Sequence, residues 1–160
     1  MSDVERLSGQ GMITVRCDFA KLKGFAVPDV RKVNNGIVWM SPDELLVTVP
    51  KSDVPATIEK LEKALKGQHH LIVDVSDARA MFKLSGPNAR EILAKGAPVD
   101  LSPDAFKPGD IRRTRIGQVA AAFWMVDADT FHIVCFTSVA GYLEEWLRHA
   151  ARPEATISYF

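Results

Sequence analysis

Two stretches of the chain repeat one pattern of apolar and polar positions. Gly36 to Met40 is a short apolar run, Ser41-Pro42-Asp43-Glu44 has turn composition, and Leu45 to Val49 resumes as Leu-Leu-Val-Thr-Val. That predicts a β-hairpin. After Pro50-Lys51-Ser52-Asp53, Val54, Ile58, Leu61 and Leu65 recur at helical spacing, with Glu59, Lys60, Glu62 and Lys63 opposite, until Gly67 ends an amphipathic helix. Val119 to Val126 and Phe131 to Phe136 flank Asp127-Ala128-Asp129-Thr130 as a second hairpin, and Ala140, Leu143, Trp146 and Leu147 give the last helix its apolar face. Trp39-Met40 and Leu45-Leu46-Val47 in the first hairpin are echoed by Trp124-Met125 and Phe131-His132-Ile133 in the second. The echo predicts an α+β fold of duplicated hairpin-plus-helix units with a largely antiparallel sheet. Leu61, Leu65, Leu143 and Leu147 should face inward from one sheet face into a common core. Two unrelated hairpins would give the same fold class.

Between the repeats, Leu71 to Val75 and Ala80 to Leu84 read as strands, and Ser85-Gly86-Pro87 opens a short helix from Asn88 to Lys95 closed by Gly96. Either Ser85 or Gly86 caps that helix, with Pro87 in its first turn. Pro98, Pro103 and Pro108 make the stretch from Pro98 to Gly109 an ordered connection without strands, and Arg112 to Ile116 is a further candidate strand. The first ten or so residues, with Ser8-Gly9-Gln10-Gly11, lack periodicity and read as a tail or a partner-bound arm. Beyond Arg152-Pro153, Ala155 to Phe160 is a candidate edge strand. A length of 160 residues is that of one compact domain.

Composition adds exclusions. With 47% apolar and 25% charged residues the chain is an ordinary globular one, and 20 Lys+Arg against 20 Asp+Glu give no reason to expect a nucleic acid or a membrane surface as partner. The longest apolar run, Val119 to Val126, cannot cross a bilayer, and Met1-Ser2-Asp3-Val4-Glu5 lacks the features of a secretory signal, so the expected address is the cytoplasm. Cys17 and Cys135 have no metal or disulfide spacing and read as inert small hydrophobes. His69-His70 are adjacent and would point to opposite faces of a strand, His132 reads as solvent-facing, and His149 suits a helix C-terminus, so neither a metal site nor a catalytic base is indicated. No GxSxG, GxxxxGK[ST] or GxGxxG string occurs. On a strand Arg113 and Arg115 share one face and Arg112 takes the other, the pattern of a solvated surface. Trp39, Trp124 and Trp146 read as core or interface anchors.

Several strings together resemble a known family. Trp39-Met40-Ser41-Pro42-Asp43-Glu44-Leu45-Leu46, Asp74-Val75-Ser76-Asp77-Ala78-Arg79-Ala80, and Leu84-Ser85-Gly86-Pro87 followed by Ala89-Arg90-Glu91-Ile92-Leu93-Ala94-Lys95-Gly96 resemble the gamma subunit of bacterial heterotetrameric sarcosine oxidase. The likeness runs on through Pro108-Gly109, Thr114-Arg115, Asp129-Thr130-Phe131 and Trp146-Leu147. The middle section also looks like the folate-binding superfamily of the glycine-cleavage aminomethyltransferase, which implies a duplicated α+β core. On this resemblance residues 36–150 form a gamma-like domain, 1–35 an N-terminal arm with the first elements, and 151–160 a C-terminal segment. Thr137-Ser138-Val139-Ala140 departs from the Arg-Ser-aromatic-Ala string common in the family.

The resemblance implies an accessory, non-catalytic subunit of an assembly with alpha, beta and delta subunits. That assembly demethylates sarcosine to glycine with formation of hydrogen peroxide and of formaldehyde or methylene-tetrahydrofolate. It implies no cofactor in this chain, with FAD, FMN, NAD, zinc and tetrahydrofolate elsewhere in the complex, and it carries over no catalytic, cofactor or metal residue. The alternative is a freestanding tetrahydrofolate-binding one-carbon module or aminomethyltransferase-like enzyme. Arg79, Arg90 and Arg115 are the candidates for subunit-surface contacts or a vestigial anion site, since a guanidinium can clamp a carboxylate with two hydrogen bonds; ordinary pairing within the chain is the competing role.

Overall fold

The computed structural model describes residues 2–160, and its chain divides into two compact units, residues 9–77 and residues 1–8 with 78–160. The first unit is a five-stranded antiparallel sheet in the order β3 (Val33–Asn34), β4 (Ile37–Ser41), β5 (Glu44–Pro50), β2 (Gln10–Arg16), β6 (Leu71–Asp74), with helix α1 (Val54–Ala64). The other unit is a five-stranded antiparallel sheet in the order β8 (Ile111–Ile116), β9 (Val119–Asp127), β10 (Thr130–Phe136), β7 (Arg79–Ser85), β1 (Asp3–Arg6), with helices α2 (Ala89–Ala94) and α3 (Ala140–Ala150).

Both predicted hairpins are present, as β4–β5 and β9–β10, and each has a register shift next to its turn. Each is followed by its helix, after a 3-10 turn at Lys51–Asp53 or Thr137–Val139. The two sheets also share their connectivity: the strand that leads into the hairpin at one edge, the hairpin, the strand before that first one in sequence, and a further outer strand. The last position is exchanged. β1 runs directly into β2 but pairs with β7, whereas β6 runs directly into β7 but pairs with β2. Each unit therefore takes its outermost strand from the segment that leads into the other unit.

The structure corrects three expectations. Residues 3–6 are not a loose arm: Val4 is buried, and Asp3 to Arg6 pair with Ser85 to Phe82. The four inward leucines do not share one cluster, because each helix packs within its own unit. Leu61 and Leu65 pack with Ile13, Val15, Leu45 and Val47, while Leu143 and Leu147 pack with Phe82, Leu84, Phe123 and Phe131. The four leucines do face inward, yet the two helices cover different sheets, since each hairpin turns its apolar face to the helix that follows it. The third concerns residues 151–160, which form no strand. After a 3-10 turn at Pro153–Ala155 the backbone N–H groups of Ile157 and Tyr159 donate to a side chain, and no neighbouring strand pairs with them.

The Pro-rich connection holds more than its prolines suggest. Leu101 and Phe106 are buried, and the Phe106 ring lies 5.8 Å from those of both Phe123 and Phe131. Phe123 and Phe131 themselves stand edge to face at 6.2 Å, so the three rings form the centre of this core.

Candidate functional site

The three candidate arginines are held by different elements and do not converge. Arg79 begins β7 opposite Phe136, the last residue of β10, and its guanidinium carbon lies 4.5 Å from the centre of that exposed ring. The pair joins a cation to an aromatic face at the end of two strands, the two residue types that weigh most in protein contacts. Arg115 is exposed on β8, on the same face as exposed Arg113. Arg112, on the other face, sits over the Phe106 ring at 5.4 Å and donates to the Ile111 carbonyl at 2.7 Å. The alternation predicted for this strand is what the structure has.

Arg90 does something else. From α2 its Nη1 donates to the carbonyls of Leu101 and Phe106, both at 2.8 Å, and more weakly to Ser102. These oxygens belong to the Pro-rich connection, which has no ladder to satisfy them, so one guanidinium closes the loop over the Phe106 ring. Its Nη2 lies 3.4 Å from the Met125 sulfur. The Arg90 side chain thus serves the fold of its own unit.

A second polar assembly was invisible in the sequence. Glu91 is buried in α2, and its carboxylate accepts the backbone N–H groups of Ile157 at 3.0 Å and Tyr159 at 2.9 Å. Between them Ser158 has φ +56°, the left-handed conformation that brings successive N–H groups round one anion. Lys95 donates to the carbonyls of Ala150 at 2.9 Å and Ala155 at 2.6 Å, and its Nζ is 3.9 Å from the carboxylate. Read locally, Glu91 is an acid in the first turn of a short helix, which suits the helix dipole and predicts nothing further. The donors arrive from more than sixty residues away in a segment with no apolar pattern.

Burial pushes the Glu91 carboxyl up, but the N–H donors of Tyr159 and Ile157, with the Lys95 ammonium, outweigh it and hold the group below its ordinary value. A carboxyl depressed by folding stabilises the folded form above its unfolded pKa, and that contribution disappears as pH falls through the folded value. Acidification should therefore release the tail, seen as faster amide exchange at Ile157 and Tyr159. Glu91→Gln should show fast exchange at those amides already at neutral pH and lose about 1–3 kcal/mol of stability. Unchanged protection of the two amides in that variant would contradict the clasp.

The thiols and two of the histidines are engaged by their own surroundings. Burial, with Asp18 and Asp43 nearby, raises the Cys17 thiol, and burial pushes Cys135 up to about 11, so both are protonated at neutral pH. Cys17 lines a cleft of about 760 Å³ with Arg16, Asp43, His69 and His70. There Arg16 pairs with Glu44 at 2.6 Å and Asp43 at 3.4 Å, and His70 bridges Glu62 at 3.0 Å and the Gln68 carbonyl at 2.7 Å. His132 does not face solvent as expected: it stands edge-on to Trp124 at 5.8 Å and burial lowers its pKa. Among the described residues no group of three or more His, Cys, Asp or Glu side chains is arranged to hold a metal ion. No helix among them is long and apolar enough to cross a membrane.

The sarcosine oxidase, gamma subunit family matches residues 22–153. The chain belongs to that family. The sarcosine oxidase subunit gamma of Corynebacterium sp. (strain U-96) is 27% identical over 111 residues, covering 69% of this chain and 53% of the relative. The chain thus spans about half the length of the curated relatives it matches. Among solved structures, a heterotetrameric sarcosine oxidase from Corynebacterium sp. U-96 in complex with pyrrole 2-carboxylate has a chain of the same fold, with TM-score 0.85 and 23% identity over 93% of this chain and 83% of that one. The glycine cleavage system aminomethyltransferase T from Bartonella henselae has TM-score 0.67 and 16% identity, over 91% of this chain and 45% of that one. Both likenesses are of fold, and they agree with the aminomethyltransferase-like α+β architecture expected from the sequence. The gamma-subunit family match takes in Arg79, Arg90, Glu91 and Arg115 and stops at Pro153, ahead of the tail that Glu91 holds.

Proposed function

We propose that this gamma-family chain is an accessory, non-catalytic subunit of a flavin-dependent heterotetrameric sarcosine oxidase in the cytoplasm, with alpha, beta and delta subunits as partners. In that assembly sarcosine is demethylated to glycine, oxygen is reduced to hydrogen peroxide, and the methyl carbon leaves as formaldehyde or methylene-tetrahydrofolate. The family match over residues 22–153 carries the reading. The residues of the chain agree with an accessory role: the thiols are buried and protonated, and the arginine best placed to bind an anion, Arg90, is committed to its own loop. FAD, FMN, NAD, zinc and tetrahydrofolate are accordingly assigned to the other subunits.

Docking onto the larger subunits is assigned to Arg79 with Phe136 and to Arg115. Arg115→Ala should weaken co-purification with those subunits while leaving the melting temperature of the isolated chain nearly unchanged, and Arg79→Ala, which also uncovers the Phe136 ring, should weaken it by more than a stability loss of about 0.5–1 kcal/mol explains. Arg90→Ala should instead destabilise the isolated chain by about 1–3 kcal/mol, because it strands buried carbonyls. Assembly untouched by the first two changes, or melting losses that account for every assembly defect, would refute the docking assignment. Methylene transfer to or from tetrahydrofolate by the isolated chain would favour the freestanding one-carbon enzyme instead.

A further inference from the structure

β6 is the outer strand of its sheet. Its residues Leu71-Ile72-Val73-Asp74 include no lysine or proline, and its one charge, Asp74, stands at its end on the same face as Ile72. Leu71 is 50% exposed and Val73 39%, on the side of the sheet away from α1, whereas Ile72 packs into the core. The ladder fixes which backbone groups are free. Val75 donates to the Met12 carbonyl at 2.9 Å, so Val75, Val73 and Leu71 turn their backbone groups toward Met12, Thr14 and Arg16 of β2. Ile72 and Asp74 turn theirs outward, away from the sheet.

The strand with its flank is self-complementary. Two copies of His70-Leu71-Ile72-Val73-Asp74 placed antiparallel about a twofold axis at Ile72 bring Ile72 opposite Ile72, with outward N–H and C=O groups on both sides. In the same register Leu71 stands opposite Val73 and His70 opposite Asp74, so an apolar pair lies on one face and a basic–acidic pair on the other, each occurring twice. The Gln68 carbonyl and Glu62 take both ring nitrogens of His70 and bias it toward its charged form, and Ser76 biases Asp74 toward its own, so the two would face each other as opposite charges without a new hydrogen bond. We infer that the β6 edge is a self-association surface: it pairs with β6 of a second copy of this chain, joining two five-stranded sheets into one continuous antiparallel sheet. The inference stands on the edge and its register, independently of the sarcosine oxidase reading.

The test uses the full chain in sedimentation equilibrium up to about 1 mM, the weak end of specific association, with amide exchange on the same samples. The wild type should approach twice the monomer mass as concentration rises, and the Ile72 and Asp74 amides should become protected in step. Leu71→Lys with Val73→Lys sets like charges directly opposite in the twofold register and should weaken association at least about tenfold, at an unchanged melting temperature because both side chains are exposed. Leu71→Lys with Val73→Glu sets opposite charges across the same pairs and should restore it. A wild type that stays monomeric throughout, a dimer unaffected by the double lysine change, or protection of Ile72 and Asp74 only on adding another protein would each overturn the proposal. The last outcome would make the edge a docking strand for that protein.

Discussion

Phe106→Ala should cost about 3–5 kcal/mol, the range for emptying a fully buried aromatic site. Phe106 has no exposed surface, its ring touches those of Phe123 and Phe131, and the Arg112 guanidinium covers it. The loss should exceed that of a methylene truncation because the cavity opens where three rings meet. The connection that carries Phe106 is held from outside by Arg90 rather than by a ladder, so it should also loosen, and amide exchange across residues 101–110 should rise with the drop in melting temperature. A loss below about 1 kcal/mol would mean that Phe106 belongs to the surface of the loop.

The second large effect lies under the helices. Leu65→Ala and Leu147→Ala should each cost about 2–5 kcal/mol, since both side chains are fully buried. They sit in different cores, so the double variant should lose the sum of the two single losses to within about 0.5 kcal/mol, as independent sites do. Chemical denaturation of the three variants measures this. Strong coupling between the sites would contradict their placement in two different clusters, and losses near about 0.5 kcal/mol at both would contradict the packing itself.

These leucines mark what the sequence made legible. A stripe at Val54, Ile58, Leu61 and Leu65 is a local signal, readable because a helix turns every 3.6 residues, and the same holds for the hairpins with their polar turns. The short apolar runs Leu71 to Val75 and Ala80 to Leu84 gave strands for the same reason. Partner choice among strands was not legible. Nothing local in Asp3-Val4-Glu5-Arg6 says that it pairs with Phe82 to Ser85 rather than with β2, because one alternation of side chains fits any edge of suitable register. A four-residue strand among charges has too few apolar positions to show a period, which is why the N-terminal segment read as an arm. Buried Phe106 was masked by its prolines for a similar reason.

Of the site, Arg115 was placed by its position in a candidate strand and Arg79 just ahead of one, and the structure has both on strands at or near the surface. The role of Arg90 and the Glu91 clasp could not be read, since both depend on carbonyls and N–H groups, which every residue carries and no sequence pattern reports. The expected edge strand at Ala155 to Phe160 failed on the same point: its amides are used by a carboxylate from α2.

The account stands most directly on one measurement. The chain is tagged in its source cells grown on sarcosine, isolated at native abundance and passed through size-exclusion chromatography, with flavin absorbance and sarcosine-dependent hydrogen peroxide formation followed across the column. The account predicts that the chain elutes with both signals in one large species, and that the fraction of free chain has neither. A sarcosine-oxidising flavoprotein that elutes complete and fully active without the chain, or sarcosine turnover by the free chain alone, would contradict it.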